Sequence, residues 1–178
     1  SGTTAAFTRN LAAVDPSWRS RGLGVGKLVA WPSRTMLAPG NEGVAARIKI
    51  SEGAIGYVEY GFAKRLGLPM AALQNKSGQF VAPSESAAQL ALSARVVEAK
   101  QLEPSVVDPA AVGAYPIVSY SWLFLYRRYP DPAKAAAVRD FVAWGLAEGQ
   151  QHGVELGYVP LSADVVALGR QILDTVAK

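Results

Sequence analysis

The chain has 178 residues, half of them apolar, and a formal net charge of +4. This composition excludes an intrinsically disordered chain, and the scattered basic residues lack the clustering of a nucleic-acid-binding surface. With no cysteine and one histidine, His152, the sequence also excludes a disulfide framework, a thiolate metal site and a multi-histidine metal site. The length suits one domain, or one domain with part of another.

The first predicted element is a helix over residues 3–13, preceded by Ser1 to Thr4 as candidate capping residues. Next, "DPSW" predicts a second helix start, with Asp15 as N-cap and Pro16 at the first helical position. The stretch "GLGVGKLVAWP" predicts a loop and then a short strand that ends at Pro32. It lacks the spacing of a phosphate-binding P-loop.

In the middle of the chain, Asn41 is predicted to cap the short helix "NEGVAARIKI". An apolar strand, "GAIGYVEY", follows, and the helix "EYGFAKRLGL" ends at Gly67. Glu52 precedes that segment and Glu59 lies near its end, but Glu59 is interpreted as a first-turn helix residue rather than as half of an acid/base pair. The segment "AALQNKSGQFVAPS" predicts a hairpin.

The last part of the chain begins with the helix "SESAAQLALSARV", which starts at Pro83-Ser84, and residues 100–113 are predicted to be irregular. "AYPIVSYSWLFLYRRY" is the strongest predicted strand. The run from "PAKAAAVRDF" to "VELGY" is then predicted to be helical throughout, and Ser162 is predicted to cap the terminal helix. Short strands that alternate with helices predict an α/β fold.

The opening residues are the strongest candidate for a binding site. A helix N-terminus exposes backbone N–H groups and carries a partial positive charge, and Ser1, Gly2 and Thr3 place hydroxyl and amide donors there. Such a loop suits a compact oxyanion. The same residues also suit a plain N-cap, and both interpretations remain open on these residues alone. No catalytic residues are predicted, since no activated nucleophile motif is present.

Eight segments in this order resemble one family along nearly the whole chain. They are "SGTTAAFT", "DPSW", "VAWP", "GNEGVAARI", "GAIGYVEYGFAKRLGL", "NKSGQFVAPS", "AYPIVSYSWLFLYRR" and "VRDFVAWGLAEGQ". The set is similar to the phosphate-binding receptors of bacterial phosphate ABC transporters, the PstS family. The resemblance covers the second half of such a receptor, so we expect the chain to be a fragment or one piece of a larger protein.

The resemblance implies a type II periplasmic-binding-protein-like fold. Residues 1–114 would form most of the second domain, which is nearly complete, and residues 115–178 would form the return segment and C-terminal helices of the first domain. It further implies that Ser1, Gly2 and Thr3 bind inorganic phosphate. The family's phosphate-binding arginine and the first domain's own loop, serine and aspartate would lie upstream of Ser1.

The partners implied are inorganic phosphate, the missing N-terminal half of the protein and an inner-membrane ABC permease, with no cofactor, no metal and no nucleic acid. The implied location is the periplasm, the extracellular space or a lipid-anchored position on the bacterial cell surface. A phosphatase-like relative of the same fold, or a receptor for another oxyanion, remains as the alternative.

Overall fold

The computed structural model describes residues 1–99 and 106–176. Within that part of the chain the helices are α1 (Gly2–Val14), α2 (Ser17–Ser20), α3 (Gly40–Ile50), α4 (Tyr60–Leu66), α5 (Glu85–Ala99), α6 (Pro132–Gly145), α7 (Gln150–Glu155) and α8 (Ala163–Asp174). The strands are β1 (Leu73–Gln74), β2 (Phe80–Val81), β3 (Val106–Val107) and β4 (Ile117–Val118). The predicted helix over residues 3–13, the helix that ends at Gly67 and the helix that follows Ser84 are confirmed.

The strands form two small antiparallel sheets. β1 pairs with β2, which confirms the predicted hairpin, and β3 pairs with β4. β3 lies within residues 100–113, so the prediction of an irregular segment is wrong at Val106–Val107, while residues 100–105 lie outside the described part. The β3–β4 sheet brings sequence-distant segments together beside α1.

Three predicted strands are wrong in whole or in part. The stretch that ends at Pro32 and the segment "GAIGYVEY" form no strand, and the longest predicted strand is limited to Ile117–Val118. Ile55 and Phe124 are 94% and 95% exposed, although both were predicted to lie in apolar strands. A strand requires a neighbouring backbone to satisfy its N–H and C=O groups, and these segments have no strand partner within residues 1–99 and 106–176.

Helix ends also differ from the predictions. Asn41 lies inside α3, and the N-cap of this helix is Pro39. The Asn41 side chain does not cap α3, since its Oδ1 accepts a hydrogen bond from the Glu59 amide at 3.2 Å. Pro16, rather than Asp15, occupies the N-cap position of α2. The Asp15 carboxylate nevertheless accepts hydrogen bonds from the hydroxyl and from the amide of Ser17. These two bonds, that of the hydroxyl first, lower the pKa of Asp15.

The predicted continuous C-terminal helix is two helices, α6 and α7, separated by a turn. The chain folds back tightly there, since a Cβ added at Gly149 would lie 2.9 Å from Gly145 Cα. Ser162 precedes α8 as predicted, but its side chain makes no capping hydrogen bond. α8 packs against α5 and α6. The buried Asn10 of α1 donates a hydrogen bond to the Pro116 carbonyl at 2.9 Å and so connects α1 to the segment before β4. The assignment of residues 115–178 to a separate unit stays a prediction.

The hairpin between β1 and β2 is held by one buried side chain. Asn75 Oδ1 accepts from the amides of Ser77 and Gln79, at 3.0 and 3.1 Å, and from the Ser77 hydroxyl. Asn75 Nδ2 donates to the Ala114 carbonyl at 3.1 Å. The amide group therefore closes the turn with its oxygen and ties the turn to a distant segment with its nitrogen.

Asn75→Asp should lower the free energy of unfolding by about 1–3 kcal/mol. The carboxylate keeps the acceptor that the turn requires, but it places a second oxygen against the Ala114 carbonyl and buries a charge. Urea denaturation of the variant and the parent at neutral pH measures the difference. Lys76→Ala, an exposed change in the same turn, is the control and should stay within about 0.5 kcal/mol of the parent. Equal stability of the two variants would contradict the role of the Asn75 nitrogen.

Candidate functional site

The N-terminus of α1 combines a cap with open backbone donors. Ser1 is the N-cap, and its Oγ accepts from the Thr4 amide at 3.0 Å, which confirms the capping interpretation of this segment. Within residues 1–99 and 106–176, no group accepts a hydrogen bond from the Gly2 or Thr3 amides. Ser1 and Gly2 are exposed, and Thr3 is half-buried. Capping therefore uses the Thr4 amide and leaves two further amides at this helix end without an acceptor among residues 1–99 and 106–176.

The hydroxyl groups of Thr4 and Tyr57 extend this site inward. Ser1 Oγ lies 2.8 Å from Thr4 Oγ1, which in turn lies 2.9 Å from the Tyr57 hydroxyl. Thr4 is 9% exposed and Tyr57 is half-buried. The sequence carries a weak signal for Tyr57, since it lies in the distinctive "GAIGYVEY" segment, but the residue types of that segment predict a strand. The structure instead brings Tyr57 to the cap of α1.

Aromatic packing holds Tyr57 in place beside α1. Its ring stacks on Phe7, with centroids 4.3 Å apart and planes 11° apart, and lies 5.9 Å from the Trp31 ring. Trp18 meets Trp31 edge to face at 6.3 Å. Such pairs stabilise a fixed ring orientation beyond the burial of apolar area. The position of the Tyr57 hydroxyl is therefore set by apolar contacts that do not involve that oxygen.

The glycine-rich loop lies against the same helix. Thr8 Oγ1 accepts from the Gly26 amide at 3.1 Å and donates to the Thr4 carbonyl at 2.8 Å, and Thr8 is fully buried. The Trp18 ring nitrogen donates to the Gly24 carbonyl, and the Lys27 carbonyl oxygen lies 2.6 Å from the Ser1 nitrogen. The prediction of a loop is confirmed, and the loop forms one wall of the site at the N-terminus of α1.

Thr8→Val should lower the free energy of unfolding by about 1–3 kcal/mol, since it leaves the Gly26 amide without an acceptor in a part-buried position. Valine has nearly the same shape, so lost packing contributes little. The matched control is Thr175→Val, because Thr175 is exposed and its hydroxyl also donates to a helix carbonyl. Thermal or urea denaturation measures both. Equal losses in the two variants would contradict the claim that the Gly26 contact matters.

The rest of the described residues bear on two further functions, metal binding and membrane insertion. In residues 1–99 and 106–176, no group of three or more His, Asp or Glu residues is arranged to hold a metal ion. His152 is exposed on α7, with its ring 5.8 Å from the Trp144 ring. In the same described ranges, none of the helices combines the length and apolarity needed to cross a bilayer.

Comparison with known proteins connects this geometry to a family. The profile described as PBP superfamily domain matches residues 1–148. The chain belongs to the PBP superfamily. This match confirms the α/β, periplasmic-binding-protein-like fold class predicted from the sequence, while the extent of each domain stays a prediction.

Several curated relatives of this PBP-superfamily chain carry the name phosphate-binding protein PstS. The chain is 36% identical to the protein of Methanocaldococcus jannaschii, in an alignment that covers 95% of this chain and 47% of the relative. It is 38% identical to that of Pasteurella multocida, covering 93% and 48%, and 36% identical to that of Haemophilus influenzae, covering 94% and 50%. The resemblance found in the sequence is confirmed. The chain spans about half the length of these relatives.

Proposed function

We propose that this chain is part of a periplasmic receptor that captures inorganic phosphate for an ABC importer, with Ser1, Gly2 and Thr3 as phosphate-binding residues. The observation that carries the proposal is that the Gly2 and Thr3 amides, which lie beside the Ser1 hydroxyl, have no acceptor in the part of the chain that the structure describes. They occur in a chain whose relatives are named as phosphate-binding proteins. The receptor binds its cargo by domain closure and carries out no covalent chemistry.

The physical basis of binding is the end of a 13-residue helix. Its first amides carry a partial positive charge and point outward, which favours an anion. A Cβ added at Gly2 would meet no described atom within 4 Å outside its own stretch of α1, so the space beside the Gly2 Cα is open. The hydroxyls of Ser1 and Thr3 add two side-chain donors. Hydrogen bonds to a charged oxyanion are stronger than those between neutral groups.

We further propose that residues 1–114 belong to one lobe of the receptor and residues 115–178 to the return segment and helices of the other. The support is the exposed apolar surface that follows β4, where Leu123 is 70% exposed and Tyr126 is 76% exposed. Large contiguous apolar surfaces mark contact regions. In this proposal the complementary half of the receptor covers them, and the closed receptor then docks on an inner-membrane permease. The location would be periplasmic, extracellular or lipid-anchored at the cell surface.

Calorimetric titration tests this function on the assembled receptor, which we define as this chain joined to the complementary half of a receptor of the same family. We expect saturable phosphate binding at micromolar concentration or tighter, with sulfate competing weakly. If the receptor binds sulfate or a metal oxyanion more tightly than phosphate, that anion is the cargo instead of phosphate. Turnover of p-nitrophenyl phosphate that is lost on mutation of Ser1 or Thr3 would instead favour a phosphatase-like activity.

A further inference from the structure

We propose that Tyr57 and Thr4 are positioning residues that direct the Ser1 hydroxyl proton toward the bound phosphate. The proposal rests on the proposed function and adds two residues to its site. The three oxygens form one chain: Tyr57 OH to Thr4 Oγ1 at 2.9 Å, and Thr4 Oγ1 to Ser1 Oγ at 2.8 Å. Neither Tyr57 nor Thr4 needs to touch the ligand to have this effect.

The number of protons and lone pairs on Ser1 Oγ determines what the hydroxyl can do. A serine hydroxyl has one proton and two lone pairs. The Thr4 amide donates to one lone pair at 3.0 Å. If Thr4 Oγ1 also donates to Ser1, both lone pairs are used and the Ser1 proton is free for a phosphate oxygen. If Ser1 donates to Thr4 instead, its proton is consumed inside the protein and the site loses a donor.

The same count on Thr4 makes Tyr57 the residue that sets the direction. Thr4 Oγ1 has one proton, which it shares with Ser1 or with Tyr57. When the Tyr57 hydroxyl donates to Thr4, the Thr4 proton is available for Ser1. A phenol hydroxyl is a better hydrogen-bond donor and a weaker acceptor than the aliphatic hydroxyls of serine and threonine. Each bond in such a chain also polarises the next, which strengthens the terminal donor.

The surrounding contacts hold this chain of hydroxyls in one geometry before a ligand arrives. The Tyr57 ring stacks on Phe7 with its centroid 4.3 Å away, and it also contacts Trp31. Thr4 is 9% exposed, and its carbonyl accepts from the buried Thr8 hydroxyl. A donor that is oriented in advance loses less entropy on binding than a freely rotating one. The aromatic packing therefore affects the binding site by fixing the position of the Tyr57 hydroxyl oxygen.

Tyr57→Phe tests the inference, because it removes the donor and leaves the ring to stack. Calorimetry on the assembled receptor should show phosphate affinity reduced by about fivefold to twentyfold. Thr4→Val should have an effect of similar size, while Thr4→Ser, which keeps the hydroxyl, should stay within about twofold of the parent. Tyr158→Phe is the control, since Tyr158 is 48% exposed, and it should leave the affinity unchanged. Melting temperatures of all variants show whether each one folds.

A double-mutant cycle separates positioning from a general structural effect. In a Ser1→Ala background, Tyr57→Phe should change phosphate affinity by less than about twofold, since the residue acts through the Ser1 hydroxyl. Equal loss in both backgrounds, or parental affinity of Tyr57→Phe alone, would overturn the positioning role and leave the proposed function standing. A parent receptor that does not bind phosphate would overturn the proposed function itself, together with this inference.

Discussion

Ser1→Ala combined with Thr3→Ala is expected to lower the phosphate affinity of the assembled receptor by about 100-fold or more. Each substitution removes one hydroxyl donor to a charged oxygen, and such hydrogen bonds contribute about 1.5–3 kcal/mol each. Two of them correspond to two or more powers of ten in the dissociation constant. The backbone amides of Gly2 and Thr3 remain, so residual binding should persist. Calorimetric titration of phosphate into the parent and the double variant measures the effect.

The matched control for this prediction is Ser84→Ala at α5. Ser84 Oγ accepts from the Ala87 amide at 3.1 Å, the same capping contact that Ser1 makes with Thr4. Both serine substitutions should therefore cost about 1 kcal/mol of stability, but only the change at α1 should reduce phosphate binding. Binding at micromolar concentration or tighter that is untouched by the double variant would contradict the assignment of this site.

Gly157→Ala is expected to cause the largest loss of stability, because it inserts a methyl group into a contact between two backbones. A Cβ at position 157 would lie 2.5 Å from Gly61 Cα in α4. Gly157 also has a φ of +86°, a region that alanine adopts at a cost of about 1–2 kcal/mol. Overpacking adds about 1–3 kcal/mol. We therefore expect the free energy of unfolding to fall by about 3 kcal/mol, measured by urea denaturation.

Gly53→Ala separates the two contributions in this prediction. Gly53 has a φ of +72°, but an added Cβ there would meet no atom of the described residues within 4 Å, apart from its chain neighbours. Its substitution should therefore cost only the conformational part, about 1–2 kcal/mol. Gly61→Ala approaches the same contact from α4, with a Cβ 3.0 Å from Gly157 Cα, and should be destabilising without any φ penalty. If Gly157→Ala and Gly53→Ala are equally stable, the close approach of α4 to the turn after α7 is wrong.

The helices that were predicted correctly depend on signals within a few residues. α1 begins after a serine that caps it, α4 ends at Gly67 with a φ of +62°, and the hairpin around Asn75 is closed by its own side chain. Each of these features is closed by contacts within one turn of chain, so the local sequence contains the signal that predicts it. The hydroxyl and amide donors of Ser1, Gly2 and Thr3 are likewise placed by the local start of α1.

The strand predictions failed where the cause lies elsewhere in the chain. "GAIGYVEY" and the segment after Val118 have the residue types of strands, but strand formation depends on a partner backbone that composition does not specify. The reverse error occurred at Val106–Val107, where a segment without clear periodicity pairs with β4. Similarly, Asn41 resembles a helix cap, yet its side chain bonds to Glu59, which lies 18 residues away.

The sequence by itself determined the helix that begins at Gly2, the capping serine with its neighbouring donors, and the resemblance to phosphate-binding receptors. Only the tertiary structure decided which groups support that helix end. It brings the Tyr57 hydroxyl to Thr4, which lies 53 residues away in the sequence, and the Gly26 amide to Thr8, which lies 18 residues away. The physical reason is that caps and turns are stabilised within one stretch of backbone. A hydrogen bond between distant residues forms only where the packing of whole elements, here the stacked rings of Phe7 and Tyr57, brings the two atoms together.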